Sequence, residues 1–153
     1  MDLKTQSYIK ELENIKQKIK ETVDDETRSY LIKLFCIRTS GLLEVFFKTR
    51  ISEYFKTKVP NEISRFLTSK FKDITNLKTS KLVEVLSSFS TDWSEKFSSY
   101  IDEHEQMKSS LDSIISQRHA IAHGQPSCIN EKDMYQYYDD VKAIVVFIDG
   151  VIR

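Results

Sequence analysis

The chain predicts an all-α fold, a helical bundle of four long helices plus short ones. Two observations carry this. Its 153 residues contain only three glycines and two prolines, too few for the many tight turns of a sheet protein. Apolar residues recur at steps of three and four along most of the chain, the spacing of one helix face. No internal repeat or low-complexity tract interrupts the pattern. A single domain over residues 1–153 is the expected organisation, large enough to bury a core.

The first helix is expected from Leu3 to Val23, with Tyr8, Leu12, Ile15 and Ile19 on one face and Lys/Glu on the other. Asp24-Asp25 interrupts it and supplies a cap for the next helix. That second helix, Glu26 to Lys56, is apolar on more than one face, which marks it as central or covered by a second subunit. Gly41 in its middle costs about 1 kcal/mol relative to alanine, a cost tolerable where another helix crosses closely. Val59-Pro60-Asn61 breaks the chain. Ile63, Phe66, Leu67 and Phe71 then outline a short helix.

Thr79 starts another helix, with Leu82, Val83, Leu86 and Phe89 inward. Asp92-Trp93-Ser94-Glu95 reads as a capping box that opens a short turn. Asp102-Glu103-His104-Glu105 places acids in the first turn of a long helix ending at His123, where the helix dipole favours them. His104, among these acids, is expected to be exposed. Gly124 and Pro126 stop that helix. Asn130 and Asp133 open the last one, with Met134, Tyr137, Tyr138, Val141, Ile144, Val145 and Ile148 apolar.

Formal net charge is zero, so bulk charge does not make the protein a general polyanion binder. The charge is nevertheless uneven. Nine Lys/Arg face three acids between Lys48 and Lys81, and seven acids face two lysines between Glu84 and Asp112. The basic tract reads either as a solvated face or as a phosphate-contacting surface, with Lys56, Lys58, Lys70 and Lys72 as its candidate contacts. Two cysteines, Cys36 and Cys128, do not make a disulfide framework. No apolar run is long enough to span a bilayer and no signal peptide is visible, so a cytoplasmic protein without a membrane partner is expected.

The chemistry concentrates in Arg118-His119-Ala120-Ile121-Ala122-His123-Gly124. The inward stripe of this helix reads Met107, Leu111, Ile114, Arg118, Ile121. Its fourth place holds an arginine, which cannot shed its charge and is costly to bury unpaired. An acid, a partner chain or a bound anion must meet it. Arg118 and His123 lie about 140° apart on an ideal helix. They converge if the helix unwinds at Gly124, or if two copies of the helix meet across a two-fold axis. The competing reading pairs Arg118 with a buried acid and leaves His123 as a helix cap. His119 and His123, with Cys128 as a third ligand, form an incomplete metal set, and neither a metal nor a cofactor is expected.

This motif resembles the signature of the HEPN superfamily, an arginine followed by a polar residue and, four to six residues on, a histidine. The helix order is also similar, and the likeness is greatest to the stand-alone RiboL-PSP-HEPN and MAE-type branches. The resemblance implies a metal-independent endoribonuclease of the toxin or phage-defence kind. Such an enzyme works as a homodimer with a composite site, in some cases alongside a cognate antitoxin. Arg118, His123 and His119 would then be the catalytic residues, and RNA the substrate. The alternative is a catalytically silent dimer that binds RNA or a protein. One departure stands out: where a branch of the superfamily carries a tyrosine that becomes adenylylated, this chain has Gln125. The resemblance also implies a supporting polar residue in the second helix. Glu44 can take that role by orienting Arg118, or it can face solvent and pair with Lys48. Arg38, two turns earlier, is a second candidate for the same cleft.

Overall fold

The computed structural model describes residues 1–153, the side chain of Lys72 excepted. It contains seven α-helices and one 3₁₀ turn, with no strand among the described residues. The helices are α1 (Leu3–Glu21), α2 (Asp25–Lys56), α3 (Asn61–Lys70), α4 (Thr79–Phe89), α5 (Thr91–Glu103), α6 (Glu105–Ala122) and α7 (Glu131–Val151), with the 3₁₀ turn at Phe71–Asp73. The expected division holds: α1, α2, α6 and α7 are long, and the other three are short.

Capping follows the sequence at two helix starts. The Asp24 carboxylate accepts from the Thr27 N–H at the start of α2, and the Asn130 side chain accepts from the Asp133 N–H at the start of α7. Each satisfies a backbone donor that the helix cannot. Elsewhere the boundaries differ from expectation. The segment around Asp92 is not a short turn but the 13-residue helix α5, and its N-cap is Ser90, whose hydroxyl accepts from the Trp93 N–H. Asp102 and Glu103 therefore close α5, and only Glu105 remains in the first turn of α6. The hydrophobic demand of Trp93, Phe97 and Ile101, all buried, outweighs the placement of two acids at a helix C-terminus. His104, at the hinge between the two helices, is half-buried rather than exposed. Its ring packs on Tyr100 at 4.4 Å and its Nδ1 lies 2.7 Å from the Tyr100 carbonyl.

The α2 helix is the axis of the molecule, packed against α1, α3, α6 and α7. One face, with Ile32, Phe35, Cys36, Thr39, Leu42, Leu43, Phe46 and Phe47, is fully enclosed. Phe35 meets Tyr138 of α7 at a ring separation of 5.1 Å, and the Cys36 thiol lies 3.8 Å from the Ile114 carbonyl of α6. Burial of each such side chain contributes about 1.5–3 kcal/mol. The other face keeps Tyr30, Leu34 and Ile37 exposed, at 60%, 44% and 38%. Ile63 and Phe66 of α3 face solvent, and only Leu67 of that helix packs on the core. A ten-residue helix touching little besides α2 and the 3₁₀ turn has nothing to cover its second apolar edge.

Gly41 has the close approach that its position demands. A Cβ built there would stand 2.6 Å from the Tyr8 hydroxyl of α1. That hydroxyl donates to the Arg38 carbonyl at 2.9 Å. Gly41→Ala is therefore expected to destabilise the fold by about 1–2 kcal/mol, even though alanine is the better helix former. The Tyr8→Phe, Gly41→Ala double variant should recover most of that loss, because removing the hydroxyl removes the clash. Chemical denaturation of the two singles and the double measures this. Additive losses would show that the contact is not the reason for glycine.

Candidate functional site

The C-terminus of α6 is built as its sequence requires. The helix ends at Ala122, and His123 is its C-cap. Gly124 follows in the left-handed region with φ 66°. The Gln125 N–H donates to the Ala120 carbonyl at 2.9 Å, and the Gly124 N–H to the Ile121 carbonyl at 3.2 Å. These two bonds form the Schellman closure that glycine makes possible. The chain thus leaves the helix at His123.

The rings of His119 and His123 lie 4.3 Å apart, tilted by 52°, and both residues are exposed. Arg118 is half-buried, between the enclosed Ile114 and the partly covered Ile121 of the inward stripe. No acid pairs with it among the described residues. Its Nη1 donates instead to the side-chain carbonyl of Asn76, in the loop before α4. No ion pair among the described residues involves Arg118, His119 or His123. Nor does any group of three His, Cys, Asp or Glu among the described residues stand ready to hold a metal. The guanidinium thus has a neutral partner, and no described contact joins it to either imidazole.

Asn76 is the residue that sequence reasoning missed. Its φ is 54°, a left-handed conformation that asparagine tolerates better than other residues with a side chain. This turns its backbone N–H toward Glu44 of α2, whose Oε1 accepts at 2.9 Å. Two residues on, Lys78 precedes α4, and the Thr79 N–H donates to Asp112 of α6 at 2.8 Å. A carboxylate from α2 and another from α6 thus pin the loop. Glu44 therefore takes neither expected position. It does not touch Arg118 directly and forms no ion pair with Lys48 among the described residues. It holds the asparagine that holds the arginine. Arg118 is accordingly not sealed against Glu44.

Arg38 goes elsewhere. Its guanidinium pairs with Glu11 of α1 and lies 4.4 Å from the centre of the Tyr8 ring. Tyr8 joins the two candidates electrostatically. Burial raises its phenol above the ordinary range, Arg38 opposes that, and the Glu11 and Glu44 carboxylates add to it. Arg38 thus braces α1 on α2 and makes no described contact with the motif.

A pocket of about 350 Å³ opens beside the motif, lined by Asn76, Lys78, Ile115, Ser116 and His119. A larger cleft of about 560 Å³ runs along the outer face of α6, but it includes neither Arg118 nor the histidines. It is a trough between polar side chains and brings no motif residue together. Cys36 is no nucleophile, because burial pushes its thiol up to about 12. Of the basic candidates, Lys56, Lys58 and Lys70 are exposed at the far end of α2 and on α3. Lys58 lies 3.7 Å from the centre of the Tyr54 ring and Lys70 5.4 Å from that of Phe66. Lys72 lies outside the described residues as far as its side chain is concerned. Only Lys78, from the same tract, lines the pocket with His119.

The sequence profile of the RiboL-PSP-HEPN family matches residues 3–153, and the chain belongs to that family. Membership points to an RNA-cleaving or RNA-binding role, and HEPN domains often dimerise. No curated protein and no solved structure matches the chain. Among the described residues, no helix is long and apolar enough to cross a membrane.

Proposed function

We propose that the protein is a metal-independent endoribonuclease whose site is built on Arg118 and His123 and completed by a second copy of the chain. The observation that carries this reading is Arg118 without an ion pair, hydrogen-bonded to a neutral amide, on the same helix end as the close pair of exposed histidines. RNA brings its own nucleophile, the 2′-OH. One histidine takes the 2′-OH proton as the oxygen bonds to phosphorus. The P–O5′ bond breaks, and a protonated histidine gives a proton to the leaving oxygen. With two chains at one cleft, His123 of each fits one of these two roles. Arg118 spreads several donors over the phosphorane oxygens as their charge grows. His119 positions the phosphate. The products are a 2′,3′-cyclic phosphate and a 5′-hydroxyl, as expected of a toxin or defence nuclease held in check by a protein antitoxin.

Incubation of purified protein with mixed RNA in EDTA, followed by end-group analysis, tests the reading. Cleavage should persist and leave cyclic phosphate ends. Loss of cleavage in EDTA with recovery on zinc would instead favour the metal set His119, His123 and Cys128. No cleavage under any condition would favour the catalytically silent dimer that binds RNA or protein.

The basic tract should hold the RNA backbone. Reversal of Lys56, Lys58, Lys70 and Lys72 to glutamate is expected to raise the Michaelis constant far more than it lowers turnover. It should also flatten the salt dependence of binding, by a slope of about 0.7 for each single-strand phosphate that the protein no longer neutralises. An unchanged affinity and salt slope would make the tract a solvated face.

A further inference from the structure

We propose that the pocket beside Arg118 is a nucleobase site, and that it selects a base carrying a keto oxygen, uracil or guanine, next to the reacting phosphate. The inference rests on the RNA reading above and names the base which that site admits. Its volume, about 350 Å³, lies at the small end of the range for ligand pockets, about 300–1,000 Å³. That space suits one nucleoside-sized group.

The selectivity follows from how Asn76 is held. Arginine has donors and no acceptor. The Arg118 contact therefore fixes the Asn76 side chain with its carbonyl toward the guanidinium and its NH₂ away from it. The Glu44 carboxylate anchors the same residue through its backbone N–H. The asparagine is thus clamped at two points and cannot turn its amide over without breaking the Arg118 bond. Its two N–H donors have no partner among the described hydrogen bonds. Lys78, on the same rim, also only donates. Ser116 adds a hydroxyl, buried Ile115 an apolar floor, and the exposed His119 ring a surface for stacking.

The Asn76 amide and the Lys78 ammonium, which only donate at this edge, favour a base edge that presents an acceptor. Uracil O4 and guanine O6 meet this condition. The amino groups of cytosine and adenine, at the corresponding positions, would set donor against donor. A mismatch there leaves a desolvated donor unpaired, and this penalty is what discriminates.

The test uses 2′-deoxy oligonucleotides, which cannot be cleaved by 2′-OH attack. They are identical but for one central base (U, G, C or A) flanked by abasic linkers, and fluorescence anisotropy reads their binding to the wild-type protein. U and G should bind about tenfold more tightly than C and A. A preference for U alone or G alone supports the site and sets its size. Asn76→Asp, which presents only acceptors, should reverse the order. Asn76→Gly keeps the left-handed backbone and the N–H to Glu44, and should level it. Equal binding of all four oligonucleotides, no binding of any, or a preference that survives Asn76→Gly overturns the proposal. A parallel cleavage assay on ordinary RNA separates the two readings. Cleavage without base preference sinks the pocket alone, and base preference without cleavage sinks the nuclease alone.

Discussion

Arg118→Ala and His123→Ala are each expected to lower RNA cleavage by about 10³-fold, with folding intact. Loss of a donor aimed at developing charge costs about 10²–10³ in turnover, and loss of a general acid or base about 10²–10⁴. Neither side chain belongs to the core: Arg118 is half-buried and hydrogen-bonded to Asn76, and His123 is exposed. Each variant should therefore keep its stability to within about 1 kcal/mol. Arg118→Lys should not restore activity, because a single ammonium cannot hold Asn76 and also present a planar fork to phosphate. His119→Ala should cost less, since His119 lines the pocket and is proposed to position the phosphate rather than to exchange protons. Initial cleavage rates and circular dichroism on the same samples check all four. Undiminished cleavage by Arg118→Ala would place the reacting phosphate elsewhere.

The parts of this protein written in local pattern were legible in its sequence. Helix periodicity gave the four long helices, Asp24 and Asn130 their caps, and Gly124 the end of α6. The requirement for a close neighbour at Gly41 was also readable, though not that the neighbour is the Tyr8 hydroxyl. What failed was local pattern overruled by packing. The acids at Asp102 and Glu103 suggested a helix start, but Trp93, Phe97 and Ile101 needed a whole helix to be buried. The site divides in the same way. Arg118 in an apolar stripe announced itself, whereas its partner Asn76 lies 42 residues away in a loop with no periodicity. Only an asparagine between two helices, able to take a left-handed turn, hinted at it. Glu44 was noticed because it interrupts an apolar run, but its role depends on that unforeseen loop.

Leu34→Glu is expected to split the proposed dimer and abolish cleavage together. Tyr30, Leu34 and Ile37 step by four and three along α2 and form an exposed apolar stripe on the face turned away from Phe35 and Cys36. This stripe adds nothing to the core of the single chain, and large exposed apolar side chains on one face favour a partner surface. In a two-fold dimer the same patch meets its own copy, so one substitution places two carboxylates in the interface. A stable interface of standard size buries about 1,600 Å², more than three side chains supply, so surface beyond the stripe must contribute. Desolvating two like charges there should raise the dissociation constant by about 100-fold or more. Leu34 is already 44% exposed in the single chain, so the variant monomer should unfold at nearly the wild-type denaturant midpoint. Cleavage should become second order in protein concentration, because a site completed by two chains exists only in the dimer. Mixing Leu34→Glu with Leu34→Lys should restore both association and activity through opposite charges. Sedimentation and cleavage rates over a concentration series measure all of this. A wild-type protein that sediments as a monomer at micromolar concentration and still cleaves RNA would sink the composite site.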